Sequence, residues 1–221
     1  MTSRKKEILE AALLFVVALV LLKLLYLNRG IPWISRLLPL LSAMTLVYLP
    51  LGYLWYRKSP VDFLYNAEDE WRRAITLFFI TSLAVFPVFV VAAHFYDTLF
   101  MKMSFHEASF PQPLTFGLFQ VFLVALPEEF FFRGWLQSFL NRHFEKKWRI
   151  LGTAVGPAWF LTALIFATSH SFITVQWWHF AIFFPALLFG WLRERSGSIL
   201  ASTLFHAASN IVTHWIDIHY R

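Results

Sequence analysis

The chain has 221 residues, of which 58% are hydrophobic and 14% are charged. Soluble domains are typically about half apolar and a quarter charged, so this composition excludes an ordinary soluble protein and predicts a multi-pass membrane protein. The chain contains no cysteine, which excludes disulfides, thiolate metal sites and cysteine nucleophiles. The net charge of +6 is interpreted as a topology signal from basic loops, and no nucleic-acid partner is expected.

Windows of about 20 apolar residues predict the membrane spans in chain order. The seven predicted spans lie near residues 8–27, 32–55, 74–96, 114–137, 153–172, 177–193 and 197–216. We therefore expect an all-α, polytopic transmembrane helical bundle. The predicted organisation is three spans within residues 1–113, a catalytic membrane core of four spans at 114–216 and a tail at 217–221.

Basic residues predict the orientation of the chain. The first span follows Arg4-Lys5-Lys6 without a small-residue cleavage site, which favours a retained helix over a signal peptide. The most polar connection, near residues 57–73, is predicted to be a cytoplasmic loop that Trp71 anchors at the interface. Fourteen Lys and Arg residues then fall on the cytoplasmic side and three outside. This bias predicts that the N-terminus lies in the cytoplasm and the C-terminus outside. The expected location is a cell membrane, in particular a bacterial inner membrane.

The fourth predicted span carries two carboxylates and an arginine at membrane depth, within Pro127-Glu128-Glu129-Phe130-Phe131-Phe132-Arg133. Ionisable groups cost roughly 3 kcal/mol each at that depth, so a functional site is the first interpretation. Glu129 and Arg133 are four residues apart and can pair on one helix face. Glu128 points about 100° away and stays available for proton transfer. The structural alternative is a charge cluster that only locks helices together.

Two later spans contribute further polar groups. His170 ends the fifth span, whereas His206 and Asn210 share one face of the seventh. Singly, such residues are often interfacial or hold helices together. If the three helices meet, Glu128 would deprotonate a water molecule that His170 positions, and His206 with Asn210 would stabilise the oxyanion.

The predicted topology sets a condition on this site. Straight helices separate His170 from the glutamates, so kinks at Pro127 or Pro157, tilt or shifted boundaries must bring them together. His179 and His214 are expected near the outer interface instead of in the site. A mechanism that needs all three helices fails if they do not meet.

Other functions use the same residues. Zinc held by one glutamate and two histidines ranks second to a site without cofactors, because the histidines lack the spacing of a zinc protease helix. A non-catalytic binding or immunity protein is the main alternative, and a proton pathway is a third. No continuous polar chain leads inward from Glu128 in the sequence, which weakens the pathway. The expected partners are membrane lipid and a membrane-anchored protein or peptide.

Three motifs in chain order carry a family resemblance. Glu128-Glu129-x-x-x-Arg133, Phe166-x-x-x-His170 and His206-x-x-x-Asn210 resemble those of the CAAX protease and bacteriocin-processing family, the glutamic intramembrane endopeptidases also called Abi proteins. The resemblance covers roughly residues 114–215. It implies hydrolysis of peptide bonds at or within the membrane, with the glutamate at 128 as the water-activating base and the other motif residues supporting or completing the site. The implied substrates are C-terminal sorting tails, leader peptides or CAAX-like proteins.

Overall fold

A computed structural model describes residues 3–64, 68–110 and 112–221. This part of the chain folds into helices that pack side by side, with one small β-hairpin, so the predicted all-α membrane bundle is confirmed in outline. The seven long helices are α1 (Ser3–Leu27), α2 (Pro32–Tyr56), α3 (Glu68–Phe95), α4 (Pro113–Asn141), α5 (Pro157–Thr174), α6 (Phe183–Ser196) and α7 (Leu200–His219).

The helices differ in length and hydropathy. In the described residues, four helical stretches are long and apolar enough to cross a membrane, namely α1, α2, α3 with its continuation to Phe100, and α4. The last three helices are shorter or more polar, α6 having 14 residues. Seven complete spans therefore stay a prediction, although every predicted span coincides with a helix over most of its length.

A β-hairpin replaces the start of the predicted fifth span. Strand β1 (Trp148–Ile150) pairs antiparallel with β2 (Thr153–Val155). Leu151 and Gly152 form the turn with φ of 47° and 77°, the positive values that a two-residue hairpin turn requires. Helix α5 begins only at Pro157, because proline fits the first helical turn, where its missing N–H is not needed. The predicted boundary at residue 153 was therefore wrong by four residues.

The connection near residues 57–73 also differs from the predicted surface loop. Helix α3 begins at Glu68, so Trp71 lies in its first turn and is exposed, while residues 65–67 lie outside the described part. Phe63 is only 1% exposed and inserts between helices, with its ring 5.0 Å from that of Phe130. A side chain at Gly134 would collide with this ring, which explains why a glycine stands there. Part of the loop thus belongs to the core.

The packing arranges the helices around α4. The pair α1 and α2 packs against α4 and α5 on one side, and α3 packs against α6 and α7 on the other. Lys23 joins α1 to α5, because its ammonium group donates to the carbonyl oxygens of Phe172 and Ile173, at 2.9 Å each. These are terminal carbonyls of α5 that have no partner within their own helix. The first helix therefore holds the end of the helix that carries His170.

Candidate active site

Two adjacent glutamates of α4 occupy different environments. Glu129 is fully buried, and its Oε1 lies 3.1 Å from an Arg133 guanidinium nitrogen and accepts a hydrogen bond from Nδ1 of His206 at 3.0 Å. The side chain of Glu128 is 19% exposed. Its Oε2 has no hydrogen-bond partner among the described residues. One carboxylate is thus committed to an ion pair, whereas the other is free to take a proton.

Both predicted histidines face the free carboxylate. Nε2 of His170 lies 3.7 Å and Nε2 of His206 lies 3.8 Å from Oε2 of Glu128. These distances exceed a direct hydrogen bond, and Oε2 itself is buried between the two rings. Nδ1 of His170 donates to the carbonyl of Phe166 at 2.9 Å, so in the neutral ring Nε2 is an acceptor. A water here would donate to Glu128 and His170 and present its oxygen outward.

Aromatic rings enclose the buried ion pair. The guanidinium carbon of Arg133 lies 4.2 Å from the ring centroid of Phe166 and 5.2 Å from that of Phe189. Arg133 also donates to the carbonyl of Ala186 at 3.2 Å. The ring of His206 stacks on Phe189, with centroids 4.6 Å apart and planes 16° apart. The cluster therefore joins α4, α5, α6 and α7 and fixes the orientation of His206.

Asn210 is held by a residue that the sequence reasoning missed. Its side-chain amide donates to Oε1 of Gln120 on α4 at 2.9 Å, and both side chains line the cavity that contains Glu128. An amide nitrogen carries two hydrogens, so one remains for a ligand. Gln120 was recognisable as a polar residue within the apolar run 114–126, on the helix that carries the glutamates. Phe189, by contrast, had no distinguishing sequence signal.

The free carboxylate lies where two cavities meet. The first, which we call the chamber, has a volume of about 620 Å³. Its polar lining residues are Gln120, Glu128, His170, His179, His206, Ser209, Asn210, Thr213, His214 and Asp217. His179 and His214, which were expected near the outer interface, also line this cavity.

The second cavity is apolar and lies on the opposite side of Glu128. It has a volume of about 210 Å³, between α1, α2, α4 and α5. Most of its lining is aliphatic or aromatic, from Phe15, Ala18, Leu19, Leu22, Tyr26, Leu38, Leu46, Phe131, Phe132 and Ile173. Glu128 and His170 line this cavity as well as the chamber. A bound molecule that spans both cavities would pass directly over Glu128.

Helix length explains how His170 reaches the glutamates. Helix α5 has 18 residues, and His170 lies in its last turns, whereas α4 has 29 residues and carries Glu128 near its middle. At 1.5 Å per residue, α4 is longer than α5 by about 16 Å. Pro127 is flanked by two π-helical stretches, Gln120–Ala125 and Phe130–Leu136, which change the direction of successive side chains. The end of the short helix thus meets the middle of the long one.

A buried polar stripe continues along α4 away from the chamber. Glu129, Arg133, Gln137 and Asn141 follow at four-residue spacing. Gln137 and Asn141 each donate to Glu194 at 2.7 Å. No continuous polar chain was expected inward from Glu128, whereas this stripe begins at the adjacent Glu129, which shares His206 with Glu128. Because arginine stays protonated, this stripe is a poor proton pathway and a good structural network.

The ligand types for zinc are present, but their arrangement does not favour it. Glu128, His170 and His206 are a carboxylate and two imidazoles that could act as ligands. Within residues 3–64, 68–110 and 112–221, no group of three or more His, Asp or Glu side chains is placed to hold a metal ion.

The region that contains the site also matches a known family. Residues 110–212 match the family model described as "Type II CAAX prenyl endopeptidase Rce1-like". No curated protein and no solved structure shows significant similarity to the chain. The matched region begins before α4 and extends into α7, so it includes every residue of the three motifs. Residues 110–212, a little under half of the chain, are therefore similar to this protease family, in agreement with the resemblance of the three motifs to the CAAX protease and bacteriocin-processing family.

Proposed function

We propose that this protein is an intramembrane endopeptidase that hydrolyses a peptide bond of a membrane-associated protein or peptide with water activated by Glu128. The observation that carries the proposal is the approach of two histidine Nε2 atoms to the unpartnered Oε2 of Glu128, at 3.7 and 3.8 Å. A carboxylate with polar neighbours and partial access to a cavity is suited to accept a proton from bound water.

The reaction begins with proton transfer from water to Glu128. His170 accepts the second hydrogen bond from this water and so orients its oxygen toward the scissile carbonyl carbon. A bond forms between the water oxygen and that carbon, and the carbonyl π electrons move to its oxygen. The resulting oxyanion receives a hydrogen bond from the free N–H of Asn210 and, when His206 is protonated, from its Nε2–H.

Collapse of this intermediate releases both products. The electron pair of the oxyanion restores the carbonyl group, and the carbon–nitrogen bond breaks. Glu128 returns its proton to the leaving nitrogen, which departs as an amine, and the other fragment leaves as a carboxylic acid that ionises. Glu129 holds His206 through Nδ1 during these steps, while Arg133 keeps Glu129 charged and in place.

The two cavities suggest how the substrate lies. We place the peptide in the polar chamber and an apolar side chain, membrane segment or lipid group in the apolar cavity beside α1 and α2. C-terminal sorting tails, leader peptides and CAAX-like proteins each offer polar residues next to an apolar part. Each of these substrate classes is therefore compatible with the proposal.

Cleavage assays with purified protein test this function. Membrane-anchored reporters that carry leader-type, sorting-type or CAAX-like sequences are incubated with wild type and with Glu128→Gln, with and without a chelator. We expect fragments from at least one reporter class, loss of cleavage in the variant and no effect of the chelator, with mass spectrometry identifying the bond. Loss on chelation would replace activated water at Glu128 with a zinc mechanism. A folded wild type that cuts no reporter would favour the non-catalytic binding function.

The proposed orientation has a separate test. Because the chain contains no cysteine, single cysteines at Lys58 and Arg221 provide specific labelling sites. We expect a membrane-impermeant maleimide to label Arg221→Cys in intact cells and Lys58→Cys only after lysis. The reverse pattern would invert the topology, and labelling of both in intact cells would require an even number of spans between them.

A further inference from the structure

The chamber has an acidic end that the catalytic proposal does not use. Asp217 lies in the last turn of α7, is exposed and lines the same cavity as Glu128. Among the described residues that line it, these two side chains are the only carboxylates, and none is a lysine or an arginine. No salt bridge joins Asp217 to another residue of the described chain. The negative charge of Asp217 is therefore uncompensated at this end of a cavity in a protein of net charge +6.

Asp217 stands on the same helix face as the proposed oxyanion donors. His206, Asn210, His214 and Asp217 follow at intervals of four, four and three residues, and all four line the chamber. One stripe of α7 thus leads from the reacting groups to Asp217. A peptide that lies in the chamber follows this stripe, because α7 forms its wall over this length.

The surroundings of Asp217 suit the stem of a cationic side chain. Phe116 of α4 lines the chamber, and its ring stacks on His214 with centroids 4.7 Å apart and planes 27° apart. Phe110 contacts the edge of the same imidazole, with centroids 5.4 Å apart. Lysine and arginine pack their methylene stems on apolar surfaces while the charged end pairs with a carboxylate. An aromatic ring and a carboxylate without a salt bridge in the same cavity provide both contacts.

We propose that Asp217 selects substrates with a lysine or arginine about five residues from the scissile bond. This inference rests on the proposed peptidase function. Asp217 follows His206 by eleven residues, about 16 Å along a helix. An extended peptide covers this distance in about five residues at roughly 3.3 Å each. The apolar cavity on the far side of Glu128 receives the opposite end of the recognised sequence, so the substrate is apolar on one side of the cut and cationic on the other.

Paired reporters test this selection. In a reporter that wild type cleaves, one position at a time, from three to seven residues on either side of the cut, is changed to lysine or to glutamate. We expect wild type to prefer lysine about five- to tenfold in kcat/KM over a short window on one side only. This is the size of effect that a partly exposed ion pair of about 1 kcal/mol produces, and it should shrink as salt is added.

Charge exchange at Asp217 provides the decisive variant. Asp217→Asn should remove the preference, and Asp217→Lys should reverse it to favour glutamate, while the cut stays at the same bond. The matched control is Glu107→Gln. Glu107 is an exposed loop residue next to His106, and the backbone N–H of His106 donates to the carbonyl of His219 at the end of α7. This control removes the same charge from the same end of the molecule, but Glu107 does not line the chamber.

The outcomes separate this inference from the function on which it rests. Equal cleavage of the lysine and glutamate reporters by wild type overturns the role of Asp217 and leaves the peptidase intact. A lysine preference that survives in Asp217→Lys, or that is lost equally in Glu107→Gln, also overturns it. Failure of wild type to cleave any reporter overturns the proposed function itself, and the role of Asp217 with it.

Discussion

The two sides of α4 at the site contain similar polar groups in opposite conditions. On the side toward α6, Glu129 and Arg133 are fully buried, paired and enclosed by aromatic rings. On the chamber side, the side chain of Glu128 is 19% exposed, and Gln120 holds Asn210 along the cavity wall. Under the proposed function, the buried side stabilises the fold and the chamber side supplies the reacting groups. Substitutions on the two sides should therefore change different measured quantities.

The largest expected effect is on activity, at the chamber side. Glu128→Gln should lower kcat/KM by about 10³-fold or more, because a positioned general base contributes about 10²–10⁴-fold and the amide cannot accept the proton. Its thermal unfolding midpoint in detergent should stay close to that of wild type, since Oε2 makes no direct hydrogen bond to a described residue. Glu129→Gln, the same change one residue on, is the matched comparison and should lower the midpoint as well. An equal loss of stability in both variants would contradict the claim that the two sides of α4 contribute differently to folding.

The next effect is on folding, at the buried side. Arg133→Met should cost about 3–5 kcal/mol of unfolding free energy, because it leaves the Glu129 carboxylate buried without its cation. For a chain of this length this corresponds to a midpoint roughly 6–20 °C lower. The double variant Arg133→Met with Glu129→Gln should recover part of the loss, because no buried charge is left unpaired. Thermal unfolding of the three proteins measures this, and a single variant as stable as wild type would show that the pair is not important for folding.

Substitutions of Asn210 and Gln120 should have a smaller effect, a decrease in kcat. Asn210→Ala should lower kcat by about 10²-fold, the lower part of the range for loss of an oxyanion donor. Gln120→Ala should lower it by roughly tenfold, because Gln120 acts only by orienting the Asn210 amide. Steady-state kinetics on a cleaved reporter separates kcat from KM. Gln120→Glu, which keeps an accepting oxygen for the amide, should restore most of the activity. A change confined to KM would assign both residues to substrate binding instead.

The smallest expected effect is on the pH dependence of folding stability. It involves Glu194, which lies at the far end of the buried stripe, just after the predicted sixth span. Burial alone would raise its pKa, but Arg193 together with hydrogen bonds from Lys146 and Gln137 outweighs burial and holds the pKa of Glu194 below its ordinary value of 4.5. A carboxylate whose pKa is lowered on folding stabilises the folded state above its unfolded pKa, and this stabilisation is lost as the pH falls through the folded pKa.

Unfolding midpoints between pH 7 and pH 3 measure this dependence. Wild type should lose stability below about pH 4.5, and Glu194→Gln should lose less over the same range. At pH 7 the variant should be less stable by about 1–2 kcal/mol, since Gln137, Asn141 and Lys146 lose a charged acceptor. Parallel pH curves for the two proteins would contradict the role of Glu194.

Much of the bundle could be predicted because long apolar runs admit few structures in a membrane. The helix boundaries were accurate where the hydropathy changes sharply, as at both ends of α2, which was predicted at 32–55 and observed at Pro32–Tyr56. They failed where an apolar sequence folds locally in another way. Thr153-Ala154-Val155 is apolar enough to extend a span, yet the turn at Leu151 and Gly152 pairs it with the preceding strand. Hydropathy measures transfer into lipid and carries no information on such pairing.

Pairings within one helix of the candidate site were predictable from the sequence, whereas the geometry between helices was not. Spacing placed Glu129 with Arg133 and His206 with Asn210, since helix faces follow directly from sequence intervals. The sequence could not place His170 beside Glu128, because this depends on the relative lengths and heights of α5 and α4. Nor could it identify Gln120 as the partner of Asn210, which depends on how α4 packs against α7. Contacts between helices distant in sequence require the packed structure.

The contacts of Lys23 bear on how short a segment of this chain can be and still fold in a membrane with its site intact. Lys23 binds two terminal carbonyls of α5 from a helix that lies entirely outside the family match at 110–212. A shortened protein that begins at residue 110 would keep every motif residue but leave those carbonyls without this cation, at a cost of several kcal/mol each if they face hydrocarbon. It would also lose the α1 and α2 walls of the apolar cavity. The transferable module for engineering a protease of this kind therefore includes the first two helices as well as the segment that bears its motifs.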